Sequence, residues 1–340
     1  MRAAVYYNNR DIRIEDRPRP RIKDGEILVR IESSGICGSD VMEWYRVKKA
    51  PLVLGHEIAG TVEEVGSGVA RFKVGDRVTV AHHVPCNTCR WCLAGNHSVC
   101  DTLRTTNFDP GGFCEFVRVP AINVDRGVFL LPEGMSFEEG TFSEPLGCVV
   151  RGFRLAGMSP GKSVLVIGSG ISGLLHVKLA KALGAGFIVA TDVNDYRLAR
   201  AESFGADLVL HASADLDAEI SRRFGRLCDM VVLCTGHDSA IAQAVECVDR
   251  GGTIIFFAPK EPEETYPMPL FRLWRDNITL KNTYASPPQD TLTAIDLISS
   301  GGVGVTDMIT HRLPLDEAPE GFRLVAEAGE SLKVIIEPQR

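Results

Sequence analysis

Four cysteines, Cys86, Cys89, Cys92 and Cys100, fall within 15 residues among the turn formers Pro85, Asn87, Gly95 and Asn96. Thiolates this close in sequence can close one tetrahedral cage around Zn²⁺, with no position left for an exchanging ligand. An iron–sulfur cluster is the competing occupant, but ferredoxin spacing shortens to three residues before a Cys-Pro, and the chain has no Cys-Pro. The expected cage is structural: metal binding would order a loop that lacks its own core.

A phosphate-binding pattern follows. Gly168-Ser169-Gly170-Ile171-Ser172-Gly173 reads G-x-G-x-x-G, directly after the apolar run Ser163–Ile167 and at the start of a helical pattern. That context is what the motif requires. Gly168 permits the tight turn, Gly170 lets the backbone approach a pyrophosphate, and Gly173 allows close helix–strand packing. With Ile171 and Ser172, these residues open a helix whose unpaired N–H groups favour phosphate. Asp192, 24 residues beyond Gly168, stands where a carboxylate would accept the adenosine ribose hydroxyls and repel a 2′-phosphate, favouring NAD over NADP. Arg197 either lies over the adenine or is solvated on its helix. Thr235 and Gly236 sit at the carboxyl end of another strand, where a doubly wound sheet binds its ligand.

A third set is scattered: Cys37 in Gly35-Ile36-Cys37-Gly38-Ser39-Asp40, His56 and Glu57 in Gly55-His56-Glu57, and Glu144 in Ser143-Glu144-Pro145-Leu146-Gly147. Singly, each reads more readily as a core thiol, a satisfied histidine or a helix-start carboxylate. Their joint occurrence, in a chain with a dinucleotide pattern and a separate thiol cage, makes them candidates together.

The elements that must position these residues have two textures. Up to about residue 148 the pattern is of short strands with glycine turns: Glu26–Glu32 alternates, Thr61–Val65 ends at Gly66-Ser67-Gly68, and Asp76–Val80 follows Gly75. This suggests a partly closed antiparallel barrel. From Ser163 onward, buried apolar runs (163–167, 187–191, 230–233, 253–257) alternate with helical patterns, the signature of βαβ units and a doubly wound parallel sheet. The tail from Ala285 carries one helical stretch, 290–300, and a final strand, 333–337, too little for an independent domain. The expected boundaries are 1–148 with a zinc lobe at about 84–102, 149–284, and 285–340 returning to the first domain. Trp44, Tyr45, Phe108 and Trp274 are candidates for pocket walls or for core.

Composition narrows the classes. With 340 residues, 37 Lys+Arg against 44 Asp+Glu and a net charge of −7, the chain has the length of two domains and no attraction for polyanions. A nucleic-acid-binding protein built around the cysteine lobe would need a basic stripe, and between residues 84 and 100 only Arg90 is basic. No apolar run is long enough to span a bilayer, which argues against a membrane partner. The first residues lack an apolar signal region, so a cytoplasmic location is expected. There, ten cysteines are unlikely to be a disulfide framework.

Taken together, Gly-Ile-Cys-Gly-Ser-Asp, Gly-His-Glu, Gly75-Asp76-Arg77-Val78, the four-cysteine lobe, Glu-Pro-Leu-Gly and the glycine motif make the chain resemble the zinc-dependent medium-chain dehydrogenase/reductase family nearly end to end. The similarity is greatest to its sorbitol/polyol and L-threonine dehydrogenase branch. The resemblance implies a GroES-like catalytic domain, a Rossmann NAD-binding domain, and a cleft between them holding a catalytic zinc. It implies Cys37, His56 and Glu144 as ligands of that zinc, Glu57 as a neighbour able to ligate when water leaves, and Ser39 as the hydroxyl that passes the alcohol proton towards the cofactor ribose. Cys86, Cys89, Cys92 and Cys100 would hold the structural zinc. Many members carry a histidine shortly after this serine, where Met42 and Glu43 stand here; His83 is another candidate to line the cleft. The implied activity is hydride transfer between a secondary alcohol or polyol and NAD in a homodimer or homotetramer. An L-threonine or amino-alcohol 3-dehydrogenase is the alternative within the fold, and a zinc-free reductase of carbon–carbon double bonds would not need the scattered set.

Overall fold

A computed structural model describes residues 1–340. The chain divides into two compact units, residues 1–147 with 285–340, and residues 148–284. Sixteen strands carry them. The first unit contains β1 (Arg2–Asn8), β2 (Asp11–Asp16), β3 (Ile27–Gly35), β4 (Leu52–Val53), β5 (Glu57–Val65), β6 (Arg77–Ala81), β7 (Phe116–Val119) and β8 (Val128–Leu130). The second contains β9 (Ser163–Ile167), β10 (Phe187–Asp192), β11 (Leu208–His211), β12 (Cys228–Leu233), β13 (Val248–Phe256) and β14 (Thr279–Asn282). The tail adds β15 (Ile309–Pro314) and β16 (Lys333–Glu337) to the first unit.

In the first unit a seven-stranded sheet runs β15-β16-β3-β5-β6-β8, with β7 pairing β3, and a small sheet runs β2-β1-β4. Alternating residues of β3, β5, β6 and β7, among them Ile27, Val29, Ile31, Ile58, Val62, Val78, Val80 and Val117, share one buried core. This is the barrel-like arrangement that the Val-rich strands and glycine turns lead one to expect, and the one the GroES-like resemblance implies. Register decides what the sheet presents at one end. Gly35 on β3 lies opposite Glu57 on β5, Glu57 lies opposite Ala81 on β6, and Ile335 on β16 pairs Gly35 from the other side. Cys37, His56, His82 and Lys333 therefore all lie within two residues of one row across four strands.

The second unit is a six-stranded parallel sheet in the order β11-β10-β9-β12-β13-β14. Numbered within this unit, that is 3-2-1-4-5-6, the doubly wound order whose strand direction of travel reverses between β9 and β12. β9 is buried along its whole length, as its unbroken apolar run requires. Helices Ile171–Ala182, Asp195–Phe204, Leu216–Phe224 and Asp238–Cys247 form the crossovers. No helix is long and apolar enough to cross a membrane.

Candidate metal centres and nucleotide site

The thiol cluster is assembled from very little apolar material. Cys92, Cys100 and Leu103 are its only buried hydrophobic members, with Cys86, Cys89 and Ala285 packed against them. Short helical turns, Arg90–Leu93, His97–Val99 and Asp101–Thr105, hold the thiols in place. The four Sγ atoms lie within 4.8 Å of one another, Cys86 to Cys92 at 3.9 Å and Cys89 to Cys92 at 3.5 Å. Tetrahedral zinc with bonds of about 2.3 Å would set its sulfurs about 3.8 Å apart, so the cluster fits that ion. The amides of Thr88 and Cys89 point at Cys86 Sγ (3.4 and 3.2 Å), and the amide of Cys86 points at Cys100 Sγ (3.4 Å). Hydrogen bonds from Thr88 pull the Cys86 thiol down to about 5, while burial pushes Cys92 up to about 12. The hydrogen-bonded Cys86 thiol is the readier of the two to ionise, and binding of a metal would release thiol protons to solvent.

The second centre grows from the strand register. Cys37 begins the tight turn Gly38–Val41 that follows β3, and its sulfur accepts the amide of Ser39 at 3.4 Å. Asp40, completely buried, turns back to accept the Cys37 amide at 3.1 Å with Oδ2. Its Oδ1 lies 3.3 Å from His56 Nδ1. That contact orients the imidazole and leaves Nε2 as the metal-binding atom, the carboxylate–histidine pairing typical of metal centres. Burial disfavours the Asp40 charge, but His56, Arg46 and the Cys37 amide outweigh it and hold the carboxyl below its usual range. For His56, burial is outweighed by Asp40 and Cys37, which raise its pKa well above the usual value.

The ligand atoms of Cys37, His56 and Glu57 lie within 4.8 Å of one another. A soft thiolate, an imidazole and a carboxylate are a donor set suited to zinc. Glu57 is 1% exposed and forms an ion pair with Lys333, which is 0% exposed and comes from β16. Lys333 Nζ also reaches the carbonyl of Ile36 at 3.4 Å. Gly35 makes room for this pair, since a Cβ there would collide with the Glu57 carboxylate and the Lys333 side chain. Glu144 lies half-buried in the first turn of the helix Ser143–Ala156, outside the three-residue cluster. Cys148, one turn on, is half-buried as well.

Ser39 follows Cys37 by two residues, and Arg46 closes on it, Nε to the Ser39 carbonyl at 2.8 Å and Nη2 to Ser39 Oγ at 3.1 Å. Beside the cluster stand His82, with its ring centroid 4.8 Å from His56, and His83, 3.9 Å from His82. Burial lowers both, His83 to about 4. His83 Nδ1 meets the Thr106 carbonyl at 2.9 Å. Asp40, Arg46, His82 and Lys333 were not read as site residues from sequence. The signal for Asp40 was within reach, in the Cys-Gly-Ser-Asp turn itself. The others arrive through pairing register and a helical turn that spacing alone does not specify.

The glycine motif folds as its spacing implies. Gly168 turns the chain at φ +92° after β9, Gly170 precedes the helix Ile171–Ala182, and a Cβ on Gly173 would strike the Gly168 carbonyl. A Cβ on Gly170 would meet only Arg197 Nη1, at 3.9 Å, so that backbone edge is open to an approaching diphosphate. Asp192 ends β10 and braces the turn. Its Oδ2 accepts the Ser169 amide at 2.7 Å, its Oδ1 accepts the Asn194 amide at 2.9 Å, and Arg197 Nη1 stands 4.0 Å away. Thr235 and Gly236 follow β12, adjacent to β9 at the reversal of strand order. The residues present fit a dinucleotide. Phe108 is core, and Trp274 is 77% exposed on the helix Leu270–Arg275 of the second unit.

Comparison with known proteins agrees with this construction. Residues 23–132 match the model of the alcohol dehydrogenase GroES-like domain, and residues 172–300 match that of zinc-binding dehydrogenases. The chain is 34% identical to a probable D-xylulose reductase A of Aspergillus clavatus, over 96% of this chain and 93% of that one. It is 33% identical to the sorbitol dehydrogenase of Ovis aries, over 98% and 95%. Its fold superposes on the 2R,3R-butanediol dehydrogenase of Bacillus subtilis with a TM-score of 0.87, 26% identity and 99% coverage of both chains.

Proposed function

The chain belongs to the zinc-dependent alcohol dehydrogenase family, in its sorbitol/polyol branch, and from that premise we propose the residues by which it oxidises a polyol or secondary alcohol to the carbonyl compound. Zinc and NAD(H) are its cofactors. The observation that carries the assignment is the convergence of Cys37, His56 and Glu57 with Asp40 behind the histidine. Cys37 and His56 would hold the catalytic zinc, with Glu144 as the further ligand the resemblance implies and Glu57 as the neighbouring carboxylate able to ligate. When bound, this zinc supplies a Lewis acid that acidifies the substrate hydroxyl, and NAD supplies the hydride acceptor.

The chain's own side chains do the rest. Asp40 keeps His56 in the tautomer that ligates. Ser39 Oγ accepts an N–H from Arg46, which leaves its own hydrogen and one lone pair free for a substrate hydroxyl. In oxidation Ser39 takes up the hydroxyl proton while passing its own on towards the cofactor ribose. A guanidinium offers donors and no acceptor, so Arg46 cannot carry that proton further. His82 and His83, kept neutral by burial, add no competing positive charge beside the metal. Gly168, Gly170, Ile171, Ser172 and Gly173 receive the diphosphate, with Asp192, Arg197, Thr235 and Gly236 around the nucleoside. Cys86, Cys89, Cys92 and Cys100 hold the second, structural zinc.

The working unit is a homodimer or homotetramer. The face that suits a second copy is the open edge of β14, flanked by Leu270, Phe271 and Trp274, large apolar side chains left in solvent. An NAD-reduction screen over sorbitol, xylitol, 2,3-butanediol, threonine and 2-propanol tests the function. Turnover of a polyol or diol is expected. Oxidation of threonine alone would move the chain to the amino-alcohol branch, and no NAD-linked oxidation of any would refute the assignment.

A further inference from the structure

Arg46 ends the short helix Glu43–Arg46 with its side chain only 15% exposed, pinned against the hydroxyl that meets the substrate. Nε and Nη2 are committed to the Ser39 carbonyl and hydroxyl, and Nη2 stands 3.5 Å from Asp40 Oδ1. Nη1, with two of the five guanidinium hydrogens, takes part in none of these bonds. The guanidinium lies 4.6 Å over the Tyr45 ring, and Lys49 Nζ lies 4.7 Å over the same ring. Two cations sharing one ring stand within about one Debye length of each other and repel, and of the two only Arg46 has a carboxylate, Asp40, within salt-bridge distance.

Asp40 pairs with Arg46 Nη2 while it also serves His56 and the Cys37 amide, and the exposed Glu43 accepts the Asn9 amide at 3.3 Å with one oxygen, so Lys49 has no carboxylate partner of its own. The stretch Arg46-Val47-Lys48-Lys49 is thus a local cationic rim in a chain whose net charge is −7. A neutral alcohol has no need of such a rim; a phosphate monoester or carboxylate would be gripped by it, Arg46 supplying charge-assisted hydrogen bonds.

Building on the proposed alcohol oxidation, we infer that Arg46, supported by Lys49, is a specificity-determining residue, and that the substrate is a polyol bearing an anionic group, a phosphate monoester or a carboxylate. Arg46 holds Ser39 with one edge of its guanidinium and the substrate anion with the other.

The test is calorimetric binding to the zinc-loaded chain of D-sorbitol, D-sorbitol 6-phosphate and D-gluconate, in the natural protein and in Arg46→Met, Arg46→Lys and Lys49→Met. The natural protein is expected to bind one of the anionic ligands at least about tenfold more tightly than sorbitol, the phosphate and gluconate arms telling the two anions apart. Arg46→Met should abolish that ratio, and Arg46→Lys and Lys49→Met should reduce it. Equal affinity for all three ligands in the natural protein would overturn the inference. So would an unchanged ratio in Arg46→Met, or a loss in that variant confined to NADH affinity, which would assign the guanidinium to the cofactor diphosphate. Turnover is read separately: oxidation of neutral and anionic polyols alike counts against this inference alone. Oxidation of neither counts against the dehydrogenase assignment, while the binding ratio still decides the role of Arg46.

Discussion

Replacing Lys333 with Met probes the ion pair that ties β16 to the metal cluster. Both partners are essentially without solvent contact, and the ammonium has only Glu57 and the Ile36 carbonyl as acceptors within reach. At an effective dielectric near 20, unit charges about 4 Å apart attract by about 4 kcal/mol, and truncating one partner of a buried pair typically costs about 3–5 kcal/mol because the other charge is stranded. Met retains most of the lysine stem, so little of the loss would come from packing. For a unit of this size about 2–4 °C of Tm accompanies each kcal/mol, so the first unit should melt on the order of 10 °C lower. The measurement is urea and thermal unfolding of the zinc-loaded chain in a cycle of Lys333→Met, Glu57→Gln and the double variant. The double variant removes both charges and should recover much of the loss, since a buried pair replaced as a whole is close to neutral. A single-variant cost under about 1 kcal/mol, or strictly additive losses, would refute the claim that these two side chains act as a pair.

Further expectations follow from the same geometry. Cys100→Ser should release one zinc and lower stability sharply, because the lobe has little apolar core beyond Leu103; unfolding curves with metal analysis check this, and unchanged zinc content would contradict it. Asp192→Ser should raise the ratio of NADP to NAD in kcat/KM by removing the charge that repels a 2′-phosphate, and should also lower stability by about 1–3 kcal/mol, since the Ser169 and Asn194 amides lose their acceptor. Phe271→Asp with Trp274→Glu should convert the assembly to a smaller species in light scattering coupled to size exclusion, leaving the zinc content unchanged; an unaltered mass would remove the β14 edge as the dimer face.

Much of this architecture was legible in the residues, and the part that was not has a physical reason. Motifs whose ligands are close in sequence read directly: the four-thiol lobe and the glycine turn each fold around local backbone, so spacing determines geometry. The buried strand Ser163–Ile167 coincides with its apolar run, because a strand covered on both faces is apolar nearly throughout, and Lys333–Glu337 was legible from the Val-Ile-Ile at its centre. Edge and end strands such as β14 and β15 escaped, being half-exposed and mixed in character. The second metal cluster was legible as a list but not as a place. That Gly35, Glu57 and Ala81 lie in one row depends on register, and register is set by the whole barrel. Lys333 is the clearest case. A lysine opening an apolar strand reads as an exposed strand end, and only the fold reveals that it points inward at a carboxylate. Arg46 likewise reads as one more surface charge until the turn that carries it folds back on Ser39.

The account rests on two metal centres in one chain, one closed and one catalytic. Metal analysis of protein purified without chelator tests that most directly. Two zinc ions per chain are expected, falling to one in a Cys37→Ser, His56→Ala double variant that remains folded. One zinc or none in the natural chain, or two in that variant, would contradict the assignment of Cys37 and His56 to a catalytic zinc.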